Sequence, residues 1–183
     1  MRKIRSKQHR ILAIAPTARG FGFAVLEDEE TLVDWGIKAT TGDKNAKSLE
    51  NVDALIDHYH PEVLVMENHN AKGSRRALRI RKLSEEIIAL AAKRRVKVTL
   101  FTQKQIKKVF FPKKPGTKYQ VATLLTKRFS EELGNRLPPK RKPWMSEDSR
   151  MDIFDAVALV LVHRIRKARR TSIKALPPKT QSC

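Results

Sequence analysis

The chain has 183 residues, enough for one domain and for two only at a squeeze, and 40% of them are apolar, so a packed core is within reach. Thirty-nine Lys and Arg against nineteen Asp and Glu leave a net charge of +20, which points to a polyanionic partner, most often nucleic acid, because neutralising phosphates releases counterions. A single cysteine, Cys183, excludes an internal disulfide framework and a Cys-based zinc site. The longest apolar run, Ala156–Val162, falls far short of the roughly 20 residues a membrane span requires, and no signal-peptide core follows the basic N-terminus. The expectation is a soluble, cytoplasmic protein with no membrane partner.

Ile11–Ala15 and Gly20–Leu26 read as two strands, and Thr31–Lys38 as a third beyond an acidic turn, Glu27–Glu30. Leu49, Val52, Leu55, Ile56 and Tyr59 recur at helical spacing until Pro61 stops them. Val63–Glu67 reads as a buried strand, Ser74 as the cap of a helix running through Lys93, and Val96–Phe101 as a fifth strand. Two capping boxes follow, Thr102 with Gln105 and Thr117 with Gln120. The second of these helices is expected to bury Val121, Leu124, Leu125 and Phe129 and to end at Gly134. A proline-rich loop over 135–146 leads to a last helix from Ser149 to Arg169. The order β-β-β-α-β-α-β-α-α-α implies an α/β fold, one mixed sheet with helices on its faces.

Basic residues gather at both ends and in three internal clusters. On a 3.6-residue repeat after Glu67, Lys72, Arg75 or Arg76, Arg79 and Lys82 would share one stripe, while Leu83, Ile87 and Leu90 turn toward the core. Lys113, Lys114 and Lys118 belong to the second cluster, and Lys140 and Arg141 to the third. All ten are candidate nucleic-acid contacts.

Three acids are candidates for chemistry. Glu67 ends the fourth strand, and Asp152 and Asp155 share a helical face at a spacing of three. Carboxylates converging on a strand end suit a hard cation such as Mg²⁺, which takes oxygen ligands and can assist phosphodiester cleavage. Each has a structural reading too: Asp152 could close a capping box with Ser149, and a strand-end Glu67 could be solvated. His69 reads as a solvated loop histidine, and Asp34 lies on another strand.

In combination these segments carry a resemblance. Ile11-Leu-Ala-Ile-Ala-Pro-Thr-Ala-Arg-Gly-Phe-Gly-Phe-Ala-Val25 resembles the first hairpin of RuvC-type Holliday-junction resolvases, and Val63-Leu-Val-Met-Glu-Asn68 their fourth strand with its acid. Gly116–Val121 is similar to their next helix start, and Asp152-Ile-Phe-Asp-Ala-Val-Ala158, with His163, to their closing helix. The resemblance implies an RNase H-like domain over 11–163, a five-stranded mixed sheet whose first three strands are antiparallel. The basic arm 1–10 and the basic tail 164–183 flank it. It further implies catalytic, metal-binding roles for Glu67, Asp152 and Asp155 with Mg²⁺ or Mn²⁺, structured DNA as partner, and a homodimer. One position departs from the pattern. Where the family's first strand ends in an Asp before Pro-Gly, this chain has Ala15, Pro16 and Thr17, and a methyl group cannot coordinate Mg²⁺. The alternatives to an endonuclease are a non-catalytic nucleic-acid-binding protein on the same scaffold and a basic ribonucleoprotein component.

Overall fold

The computed structural model describes residues 9–72 and 74–174. The first eight residues of the N-terminal arm and the last nine of the basic tail lie outside them. Strands β1 (Arg10–Thr17), β2 (Gly20–Glu27) and β3 (Thr31–Ala39) form an antiparallel meander. Helix α1 (Lys44–Tyr59) then returns the chain to β4 (Val63–Glu67), parallel to β1, and α2 (Leu78–Lys93) leads to β5 (Lys97–Phe101), parallel to β4. The strand order is β3-β2-β1-β4-β5. Helices α3 (Gln103–Phe110), α4 (Lys118–Arg128), α5 (Ser130–Leu133) and α6 (Met151–Lys174) complete the fold. It is the α/β sheet expected from the order of elements, with a short α5 added.

Strand β1 is central, so both of its faces are buried and its residues sort by parity. Leu12 and Ile14 join the core under α1 and α2, with Phe21, Phe23, Val52, Leu64 and Leu83. Ile11, Ala13 and Ala15 face the other way, into the core built on α4 and α6. That second face has a floor of small residues. In the β1–β2 register Ala13 stands beside Ala24 and Ala15 beside Gly22. A side chain on Gly22 would place its Cβ 2.1 Å from the Asp152 carbonyl oxygen. The missing side chain lets the first turn of α6 lie directly on the sheet, which fixes where Asp152 and Asp155 sit.

Local signals explain most boundaries. Both capping boxes form: Thr102 accepts from the Gln105 amide at 3.2 Å and Thr117 from the Gln120 amide at 3.2 Å, each answered by the glutamine side chain. Helix α1 ends in a left-handed His60 at φ 46°, just before Pro61.

Four expectations fail locally. Ser74 does not cap α2, which begins at Leu78 behind an uncapped Ala77. Turn bonds hold the chain here instead, with the Asn68 side chain accepting from the Asn70 amide and the Ser74 amide donating to the Ala71 carbonyl. Asn and Ser side chains compete in this way with helical backbone bonds. Leu124 is 41% exposed, because the buried stripe of α4 runs through Val121, Ala122 and Leu125. Phe129 leaves helical geometry and ends α4, so Gly134 terminates only α5. Helix α6 starts at Met151, two residues after Ser149, and runs past Arg169 to Lys174, so Arg164, Arg166, Lys167, Arg169 and Arg170 all ride on it. Among the described residues no helix is long and apolar enough to cross a membrane.

Candidate nucleic-acid-binding site

Glu67 shares the parity of Val65, which lies in the α6-side core, so it emerges on the same face as Ala15. Asp155 comes to the same place from the first turns of α6. Ala15, Glu67, His69, Arg76, Lys118 and Asp155 line one pocket, walled by α3 and α4 through Gln103, Ile106, Lys107 and Val121. Residues far apart in sequence therefore meet at the strand ends.

Each pocket carboxylate already has a cation. Lys118 Nζ lies 2.8 Å from Asp155 and 3.1 Å from Glu147, and Arg76 Nη2 lies 3.3 Å from Glu67. Burial works against the charged form of Lys118, but Asp155 and Glu147 outweigh it and hold its pKa above the usual lysine value. Burial likewise works to raise the Glu67 carboxyl, and His69 with Arg76 outweighs it, holding Glu67 below the usual range.

His69 is not a solvated loop residue. It is 3% exposed, and its Nδ1 lies 2.7 Å from Ser84 Oγ. The Ser84 hydroxyl donates to the Ile80 carbonyl, so its oxygen accepts from Nδ1–H, and Nε2 faces Glu67 at 3.8 Å. Ser84, on α2, is the partner that sequence spacing hides. Asp34 lies elsewhere, accepting from the Tyr59 hydroxyl at 2.5 Å, whose pKa burial and Asp34 push up to about 12.

Asp152 does not join the pocket lining. Its carboxyl lies beside Thr17 at the end of β1, and the capping box with Ser149 gives way to a backbone turn from the Asp152 amide to the Ser149 carbonyl. Burial first, and then the Asp155 charge, pushes its pKa up to about 6. A carboxyl whose folded pKa exceeds its unfolded value adds stability below about pH 4, and that stability disappears as pH rises through about 6. Asp152→Asn is therefore expected to stabilise the fold above pH 6 by on the order of 2–3 kcal/mol, with the gain vanishing below pH 4. Chemical denaturation across pH 4–8 measures it; a gain independent of pH would show that Asp152 titrates normally.

The metal site implied by the resemblance does not assemble. Among the described residues no three His, Cys, Asp or Glu side chains converge closely enough to hold a metal ion. Asp152 is turned to Thr17, Ala15 offers no donor, and a cation entering between Glu67 and Asp155 would have to displace Arg76 and Lys118. The donor set of this chain does not fit a resident Mg²⁺ or Mn²⁺.

The basic candidates fall into three groups. The helical stripe dissolves, since Lys72, Arg75 and Arg76 lie in the loop before α2 and only Arg79 and Lys82 are on it. Lys72, Arg75 and Arg76, joined by Lys104 from α3, line a groove that opens beside Glu67. Arg79 belongs to the scaffold, bonding the Thr17 carbonyl and Asn45 Oδ1 at 2.8 Å each. Lys113 and Lys114 are exposed on the α3–α4 loop, and Lys140 and Arg141 on the loop before α6. Lys104 and Lys107 belong in sequence to the same basic cluster as Lys113, Lys114 and Lys118, and the fold brings Lys107 to the pocket and Lys104 to the groove.

The fold and pocket can now be set beside known proteins. The family model described as crossover junction endodeoxyribonuclease RuvC matches residues 11–163. This chain belongs to that family. A curated member from Pseudarthrobacter chlorophenolicus is 25% identical, with 94% of this chain and 88% of that protein covered. Among solved structures, Thermus thermophilus RuvC superposes with a TM-score of 0.64 at 15% identity, covering 88% of this chain and 97% of that one. The same protein in complex with Holliday junction substrate gives 0.61 at 16% identity, with coverages of 89% and 97%. The yeast mitochondrial Holliday junction resolvase Ydc2 gives 0.55 at 18% identity, with 92% and 85% covered. At these identities the structural likeness speaks for the fold, and the RNase H-like expectation holds.

Proposed function

We propose that this chain binds branched DNA, with a four-way junction as the reference substrate, and holds it without cutting it. Family membership supports the substrate class. The observation that carries the rest is the pocket itself: a methyl group at Ala15, with Glu67 and Asp155 each ion-paired to the chain's own Arg76 and Lys118. Phosphates would lie along the groove of Lys72, Arg75 and Lys104 that opens at Glu67. A homodimer presenting two such pockets belongs to the same proposal.

The test is a titration of a four-way junction and a linear duplex, with chelator, Mg²⁺ or Mn²⁺, followed by a denaturing gel. Tight junction binding in chelator and no metal-dependent nicks are expected. Cutting by the unaltered chain overturns the second half, and equal affinity for junction, duplex and single-stranded RNA favours a basic ribonucleoprotein component instead. Replacing the exposed Lys72 and Arg75 by Ala should flatten the log–log salt dependence by roughly 0.9 per lost phosphate contact. An unchanged slope in the folded double variant would move the DNA off this groove.

A further inference from the structure

The loop before α6 carries a feature that the pocket does not use. From residue 133 to residue 146 it holds no acid, and its centre reads Lys140-Arg141-Lys142-Pro143-Trp144-Met145. Trp144 is 78% exposed and Met145 48% exposed, whereas Trp35 packs against the core. An indole this exposed, beside an exposed methionine, marks a contact surface, because water is a poor environment for so large an apolar face. The ring is also held in place. The Met145 amide donates to the Lys142 carbonyl at 3.0 Å, closing a turn behind Pro143, and Lys142 Nζ sits 5.4 Å from the ring centroid. Three residues further on, Glu147 reaches Lys118, which holds Asp155, so the base of the loop is fastened to the pocket rim.

We infer that Trp144 stacks on a nucleobase at the branch point of DNA bound across the pocket, while Lys140 and Arg141 meet the flanking phosphates. This rests on the reading of the chain as a branched-DNA binder. Charge selects the occupant: a loop with several cations and no acid suits a polyanion better than a second copy of a chain that is itself +20. Stacking selects the place. In an uninterrupted duplex both faces of every base pair are covered, and opening a step costs a few kcal/mol. At a branch point the outermost pair leaves a face bare, and an aromatic ring can cover it with no unstacking.

The experiment uses the full chain as wild type, Trp144→Ala and Trp144→Phe, with a four-way junction carrying 2-aminopurine at the branch point and a linear duplex carrying it at mid-strand. Wild type should change the 2-aminopurine emission of the junction but not of the duplex. Trp144→Ala should lose that change and weaken junction binding by roughly 5- to 150-fold, the range a single base–aromatic stack commands. Its duplex affinity should stay within about twofold of wild type, the spread expected of surface substitutions away from the contact. Trp144→Phe should keep most of both signals, and the exposed position makes all three proteins comparably stable. Wild-type affinity and emission in Trp144→Ala overturn the inference, as does an equal loss on duplex and junction, or a change in oligomeric state alone. Failure of wild type to bind the junction overturns the functional reading instead, so the two failures are distinct.

Discussion

Ala15→Asp is expected to raise metal-dependent cleavage of branched DNA well above that of the unaltered chain. Ala15 lines the same pocket as Glu67 and Asp155 and is 8% exposed, so a carboxylate there has those two groups as neighbours. In chelator three acids in one partly buried site repel, and the variant should lose on the order of 1–3 kcal/mol of stability. A divalent cation relieves that repulsion, and at 100 times its dissociation constant it returns about 2.7 kcal/mol by mass action. The cation must also displace Lys118 from Asp155, so activity should rise with metal concentration well above background. If the new ligand contributes several kcal/mol to the cleavage transition state, the rate gain is about 10³-fold or more, since each 1.36 kcal/mol is tenfold. Thermal melts with and without Mn²⁺, alongside nicking of a labelled junction, measure both effects. A folded, junction-binding variant that melts identically with and without Mn²⁺ and makes no nicks would show that Ala15 is not the only defect.

What the sequence discloses follows from how local each cause is. The five strands and both capping boxes depend on side-chain parity and on contacts three residues apart, and the structure reproduces them within a residue or two at each end. Ser74 looks like the cap of α2 in isolation, while Asn68 and Ala71 hold the chain there in turns. The later helix start moves a whole group of cations, since Lys72, Arg75 and Arg76 lie before the helix and gather at the mouth of the pocket. The site was legible as a set of acids but not as a set of ion pairs. Nothing in the spacing of Glu67 and Arg76, or of Lys118 and Asp155, announces that these groups meet. His69 shows the same limit, for its burial depends on Ser84, presented by a helix that follows it in sequence.

Gly22→Ala tests how the two helix acids reach the sheet. Glycine inside a strand is ordinarily worse than alanine by roughly 0.5–1 kcal/mol, so propensity alone favours the substitution. Packing opposes it. The new methyl carbon would lie 2.1 Å from the Asp152 carbonyl oxygen and 2.5 Å from its carbonyl carbon, and both are backbone atoms that no rotamer change can move. Either α6 lifts at its first turn or β2 bends away, and α6 packs on β1 and β2 through the same small floor of Ala13, Ala15 and Ala24. Overpacking of this kind costs about 1–3 kcal/mol or more, which outweighs the propensity gain. For a chain of this size a loss of 3 kcal/mol lowers Tm by roughly 6–12 °C. The displacement should also loosen the Asp152–Thr17 contact and admit water, moving the Asp152 pKa from about 6 back toward the usual carboxylate value. Added to Ala15→Asp, the same substitution should abolish the cleavage gained, because Asp155 is withdrawn from the new acid; that non-additivity separates a positional effect from simple destabilisation. A Gly22→Ala protein that melts within about 1 °C of wild type, less than half of the shift that 1 kcal/mol produces, would mean that α6 does not rest on β2 as closely as 2.1 Å requires.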